Sequence, residues 1–292
     1  MQSQKQHERV FSFEFFPPKN EDAALKLREV RNTLAQLNPR FFSVTFGAGG
    51  STRDRTLETV LEIQKAGSQA APHLSCIASS RTELRALLDA YQQHGIRHIV
   101  ALRGDLPEGD STPGDLPHAR DLVAFIRAET GDHFHIEVAA YPEFHPEARD
   151  SAADLQHFKR KVEAGADSAM TQYFYSPDAY YRFVDSCEKL GITLPIVPGI
   201  MPITNYTQLA RFSDRCGAEI PRWIRRRLEA FGDDAESLRA FGLDVVTDLC
   251  HKLLEAGAPG LHFYTMNLAA PTLAIWNNLD LGAHASSRSV VL

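Results

Sequence analysis

The chain has 292 residues with 31 Lys+Arg against 37 Asp+Glu, so its formal net charge is −6; hydrophobic residues make up 43% and charged residues 23%. That balance excludes disordered and fibrous classes, and the mild acidity argues against a general affinity for nucleic acid. No stretch of about 18 uncharged apolar residues exists to span a membrane, MQSQKQHERV has no apolar signal-peptide core, and Cys76, Cys187, Cys216 and Cys250 form no CxxC pair, all of which fits a cytoplasmic protein with reduced thiols.

In chain order, eight short β-branched or aromatic runs begin at Val10, Arg40, Ala71, Arg97, His135, Ser168, Leu194 and Gly260. Helical spacing separates them: Leu25, Leu27, Val30, Leu34 and Leu37 lay an apolar stripe on one face, as do Leu84, Leu87, Leu88 and Tyr91. The last interval is long and predicts two helices, at about 219–230 and 233–256. Eight alternating βα units imply a parallel sheet, and the simplest closed form is a single-domain (β/α)8 TIM barrel over 10–281. An open doubly wound sheet is the alternative, but no GxGxxG follows any strand. Residues 1–9 and 282–292 read as flexible ends.

Active sites of such barrels lie at the C-terminal ends of the strands. Glu14 sits in the apolar first strand, where burial would raise its pKa and keep a proton available; a structural ion pair is the other reading. The fourth strand ends in Arg103-Gly104-Asp105, a cation, a flexible backbone and an anion. Gln172, at the end of the sixth, suits a heterocycle edge, and His73 in the third reads as a core histidine or a ligand. Gly47-Ala48-Gly49-Gly50 lets backbone approach a ligand but lacks the Lys of a phosphate loop. Asp154, His157, Arg160 and Lys161 open a helix and read either as a solvated face or as a diphosphate holder. His133, His135 and His145 lack a carboxylate to complete a metal set, so no metal is expected. The Arg222 and Arg225–Arg227 cluster beside Trp223 reads as a helix surface or subunit contact.

Taken together the motifs go further. Phe13-Glu14-Phe15-Phe16-Pro17-Pro18, Ser43-Val44-Thr45, Ala71-Pro72-His73-Leu74, Ala101-Leu102-Arg103-Gly104-Asp105, Ala139-Ala140-Tyr141-Pro142-Glu143, Thr171-Gln172, Pro198-Gly199-Ile200 and His262-Phe263-Tyr264-Thr265 occur in this order. The set resembles the bacterial-type 5,10-methylenetetrahydrofolate reductases from about residue 10 to about 280. The resemblance implies non-covalent FAD at the barrel mouth, reduced by NADH or NADPH, which leaves before the folate takes its place. The product is 5-methyltetrahydrofolate, in one-carbon metabolism and methionine supply.

By the same resemblance Glu14 is the general acid, and Asp105 binds the folate edge and tunes the flavin. Gln172, Gln208 and Phe212 contact substrate, and Thr45 and Gln172 contact the nicotinamide. FAD falls to Phe46, Ala48, His73, Arg103, Gly104, Asp105, Ala119, Tyr141, His145, Ala148, Asp154, His157, Arg160 and Lys161. The chain departs from the family at Leu268, where relatives often carry Arg near the folate tail, and at His157, where a small amide is common. A homo-oligomer is expected, and control by S-adenosylmethionine is not. A flavin-free lyase would want a Schiff-base Lys at a strand end, and none is found; a non-catalytic folate or flavin carrier is the remaining reading.

Overall fold

The computed structural model describes residues 1–47, 52–105 and 114–281. Among them nine strands alternate with ten α-helices. They run β1 (Val10–Phe15), α1 (Glu21–Ala35), β2 (Phe41–Val44), α2 (Arg53–Lys65), β3 (Ala70–Ser75), α3 (Arg81–Gln93), β4 (His98–Leu102), α4 (Ala119–Thr130), β5 (His135–Ala140) and α5 (Ser151–Glu163). Then come β6 (Ser168–Thr171), α6 (Pro177–Lys189), β7 (Ile196–Val197), β8 (Gly199–Ile200), α7 (Tyr206–Cys216), α8 (Arg222–Phe231), α9 (Ala235–Ala256), β9 (Gly260–Tyr264) and α10 (Ala270–Asn278). All the ladders are parallel, in the order β7-β6-β5-β4-β3-β2-β1-β9-β8. None of the helices among the described residues is long and apolar enough to cross a membrane.

The expected seventh strand is two. Pro198 has no N–H to give to a ladder and splits it. β7 pairs with β6 and β8 with β9, while the Pro198 carbonyl accepts from His262 N at 3.0 Å. The two halves thus join opposite edges of the sheet and close the barrel. Gly199 permits the join: a Cβ there would overlap the Thr171 carbonyl and the Tyr264 ring. Gly199 N donates to Thr171 Oγ1 and Tyr264 Oη donates to the Thr171 carbonyl, at 2.9 and 2.7 Å.

Period-two alternation divides the strand residues between two cores. Phe13, Phe15, Phe42 and Val44 join the large cluster beneath the helices. Phe41, Ala71, Val100 and Met170 form a separate small cluster inside the barrel, flanked by Val10 and Leu102. Barrels of this class usually fill their interior with branched apolar residues. Here the same inward-facing register also carries Ser12, Glu14, Ser43, His73, His98, Glu137 and His262.

Two expectations are corrected. The last interval holds three helices, because α7 precedes the two predicted ones. Its signals are Asn205, whose side chain caps the Gln208 N–H, and Gly217, left-handed at φ 74°. Residues 1–9, expected to be loose, pack down instead, with a 3-10 turn at Gln4–Gln6. Gln4 is 0% exposed; its amide accepts from Ile196 N and donates to the Leu194 carbonyl. Ser3 donates to Glu188 through both N and Oγ. The segment therefore clamps the backbone entering β7. Replacing Gln4 by Ala strands the buried Ile196 N–H and the Leu194 carbonyl, and a loss of about 2 kcal/mol is expected in urea unfolding; an unchanged midpoint would refute the clamp.

Candidate active site

Glu14 is the last inward-facing residue of β1, 9% exposed. His73 Nε2 on β3 and His262 Nε2 on β9 lie 3.3 and 3.6 Å from its Oε2. The contacts are ion-pair distances; neither Nε2 is aligned for a hydrogen bond. His262 is itself fixed through Nδ1, 2.7 Å from Ser12 Oγ, and Thr265 Oγ1 donates to the Glu14 carbonyl. Burial pushes the Glu14 carboxyl up, but His262 and His73 pull it down further, to about 2. Burial therefore does not keep a proton on this carboxyl as the sequence suggests; two imidazoles hold it charged.

A cavity of about 550 Å³ opens at the same end of the barrel, within the ~300–1,000 Å³ span of small-molecule sites. Twelve of the fourteen positions expected from the resemblance to hold FAD line it: Phe46, Arg103, Gly104, Asp105, Ala119, Tyr141, His145, Ala148, Asp154, His157, Arg160 and Lys161. Gly104 is left-handed, at φ 86°, and a Cβ would overlap Ser75 Oγ, so the turn after β4 requires glycine. Arg103 is gripped through both terminal nitrogens by Glu147. Tyr141 and His145 pack edge to face at 4.7 Å, and burial pushes the tyrosine pKa up and the histidine pKa down. Asp154 accepts from His145 N. Among the described residues Lys161 Nζ donates to the Ala139 carbonyl alone, and burial lowers its pKa to about 8. Neither Arg160 nor Lys161 forms an ion pair among the described residues.

The remaining expected residues are more scattered. His73 joins Glu14 rather than the cavity wall. Thr45 follows β2 and takes the Phe15 carbonyl through its N–H. Gln172 directly follows β6, its own Oε1 accepting from Tyr173 N. Gln208 is exposed on the first turn of α7 and Phe212 is half-buried one turn on; neither lines the cavity. Ala48 lies outside the described residues. Leu268 is 49% exposed beyond β9. His133 and His135 lie at one end of β5 and His145 beyond the other, and no metal-holding group of three exists among the described residues.

Sequence reasoning missed Ser12, His262 and Glu147 as site partners. The first two were available from register, because Ser12 pairs with His262 and Glu14 with Tyr264 across β1 and β9. Glu147 lies in a loop, where no period reports its direction.

The methylenetetrahydrofolate reductase family model matches residues 1–280. The chain belongs to the methylenetetrahydrofolate reductase family. It is 44% identical over 271 residues to the 5,10-methylenetetrahydrofolate reductase of Salmonella typhimurium, covering 92% of this chain and 90% of that one. It is 41% identical to a rice protein named probable methylenetetrahydrofolate reductase (NADH), covering 93% of this chain and 48% of the relative. In fold it resembles a Clostridium thermocellum protein that binds two copies of 5-methyl-5,6,7,8-tetrahydrofolic acid, with a TM-score of 0.66 at 15% identity and 98% coverage of both chains. Membership of the reductase family makes the barrel an oxidoreductase.

A stability test isolates the carboxylate. Because its folded pKa is below the ordinary 4.5, the stabilisation it brings is complete above pH 4.5 and is lost as pH falls towards about 2. Glu14→Gln should flatten the acid limb of the stability curve in that window; an unchanged limb would show that the two histidines do not hold the charge.

Proposed function

We propose that this chain reduces 5,10-methylenetetrahydrofolate to 5-methyltetrahydrofolate through a non-covalent FAD recharged by NADH or NADPH, the two substrates visiting in turn. One observation carries the reading: a buried carboxylate held between two imidazoles stands at the end of the barrel where a lined cavity of about 550 Å³ opens.

The residues present suit the flavin nucleotide. Arg160 and Lys161, without ion-pair partners among the described residues, offer two cations to a diphosphate. Tyr141 and Phe46 offer aromatic faces, and Asp105 and His157 offer polar edges. When bound, FAD supplies the hydride that reaches the one-carbon unit.

This chain's own residues do the rest. Asp105, Gln172, Gln208 and Phe212 hold and orient the folate. Thr45 and Gln172 meet the nicotinamide. Glu14 delivers a proton to folate N10, opening the five-membered ring so that the methylene carbon becomes electrophilic. Since the carboxyl is charged in the free protein, that proton is drawn from a pool shared with His73 and His262, and bringing a neutral heterocycle over Glu14 favours the protonated carboxyl by removing the remaining water.

The isolated protein should be yellow, bleach anaerobically with NADH or NADPH and regain colour on adding methylenetetrahydrofolate; a protein that never takes up FAD would overturn the reading. Glu14→Gln should keep its FAD and bleach normally, while the colour returns about 10²–10⁴-fold more slowly. A normal return would remove Glu14 as the acid.

Lys161 adds a pH signature. Its pKa of about 8 means that the ammonium is present below pH 8 and lost above it. FAD affinity should therefore weaken as pH rises through about 8, and Lys161→Met should be weak and flat in a fluorescence titration across that range.

A further inference from the structure

Trp223, on α8, is the most exposed large hydrophobic side chain among the described residues, at 60%. The chain has two tryptophans, and the other, Trp276, is buried at 6%. Indole is on average a highly buried group, so its exposure calls for a partner. The ring is also held in place. It meets Phe241 of α9 edge to face at 6.0 Å, Phe241 meets Phe231 at 5.8 Å, and the Arg227 guanidinium lies 5.2 Å over the Phe231 ring. Ile224 and Leu228 anchor α8 to the core. Trp223 is therefore a fixed knob on the surface.

A hollow lies on the other flank of α9. A cavity of about 370 Å³ opens between the segment after β8, the first half of α9 and the start of α10. Its walls are mostly apolar, with Pro202, Ile203, Leu243, Pro271, Ala274 and Ile275 among them. Gly242 shapes it, because a Cβ there would overlap the Ile203 carbonyl and hold α9 away. The volume falls in the ~300–1,000 Å³ span of sites for small organic groups, and an aromatic side chain is such a group. None of the residues assigned to folate, nicotinamide or FAD lines it. Phe241 faces the knob and Leu243 the hollow, and Ala240 stands exposed on the ridge between them.

Charge is divided across the same surface. Arg222, Arg225, Arg226 and Arg227 surround the knob. Asp233 and Asp234 lead into α9, and Glu236 stands at the mouth of the hollow. None of these seven groups forms an ion pair among the described residues. A polyanion drawn to the arginines would also meet the carboxylates, so the patch suits a surface that is itself both basic and acidic. A second copy of the chain is such a surface. A two-fold contact sets one patch against itself, each residue meeting its counterpart's partner. An axis over the Ala240 ridge brings each Trp223 to the other copy's hollow and each arginine cluster towards the other copy's Glu236. Arg239 shares that mouth, so the charges set the register while the indole supplies the strength.

We propose that two copies of this chain associate through α8 and α9 about a two-fold axis, the Trp223 indole of each filling the hollow between α9 and α10 of the other. A homo-oligomer is expected from the resemblance; the exposed indole and the apolar hollow assign its surface. The inference stands apart from the flavin reading, and none of its readouts uses turnover.

The test is sedimentation velocity on the flavin-loaded protein, paired with acrylamide quenching of tryptophan emission. Wild type should form an even-numbered assembly that dissociates on dilution. As it does, emission should shift to longer wavelength and become quenchable, because Trp276 stays buried in both states. Trp223→Ala should raise the dissociation constant at least about 30-fold, with FAD binding and the thermal midpoint unchanged. Ala274→Phe, which fills the hollow, should weaken association from the other side. Each variant alone lacks both reciprocal contacts, whereas an equimolar mixture retains one and should associate more tightly than either. Should either variant fold poorly, Glu236→Arg should weaken association, and Arg226→Glu in the same chain should restore it. A monomer at every concentration overturns the proposal. So does an oligomer whose Trp223 stays open to acrylamide or that Trp223→Ala leaves intact, since its copies then meet elsewhere. Uptake of anilinonaphthalene sulfonate by the assembled protein, abolished by Ala274→Phe, also overturns it, because the hollow is then a ligand site and not the seat of the indole.

Discussion

Taking a carboxylate out of water costs several kcal/mol unless donors or cations meet it, and Glu14 is placed inside an aromatic strand with only 9% of its surface exposed. Much of the barrel's polar interior follows from that constraint. His73 must reach in from β3 and His262 from β9. His262 in turn needs its second nitrogen held, and Ser12, its ladder neighbour on β1, holds it. The arrangement crosses β1, β3 and β9, so the carboxylate reads out whether those strands are in register. A one-residue slip of β9 would exchange His262 for Phe263 and leave the charge unmet. Folding correctly and meeting the buried carboxylate are therefore one requirement.

Closure of the barrel is tied to the same place. Pro198 interrupts the ladder, yet its carbonyl accepts from His262 N. The residue that meets the carboxylate is thus also the residue at the seam. Tyr264, one inward position further along β9, donates across to the Thr171 carbonyl on β6 and so ties β9 to the strand before the seam. The small size of Gly199 permits that approach. A carboxylate placed at the seam is stiffened by the contacts that close the sheet, which suits the proton-donor role proposed for it.

Much of this was legible in the chain itself. Period-two and period-3.6 patterns expose the βα rhythm, and the ends of strands point to Glu14, Arg103, Asp105 and Gln172 without reference to any relative. The structure brings Arg103, Asp105, Arg160 and Lys161 to one cavity, although the charges of the last two fit a solvated helix face equally well by spacing alone. What stayed hidden was pairwise. The charge state of Glu14 depends on two histidines 59 and 248 residues away in the chain, reckoned from positions 14, 73 and 262. Burial was readable from the apolar neighbours of Glu14, but the sign of its net effect was not. α7 was missed because its apolar positions are few, while its capping residues Asn205 and Gly217 mark both ends.

The interior also shows how a barrel core can carry both stability and chemistry. An apolar filling would pack as well, so the polar residues that replace it bring a cost that only satisfied partners offset. Glu137 has His98, His135 has Ser168, and Glu14 has two imidazoles. Among the described residues the buried side-chain atoms left without aligned partners are Ser43 Oγ and the Nε2 atoms of His73 and His262, at inward-facing strand positions, and Thr272 Oγ1 on α10.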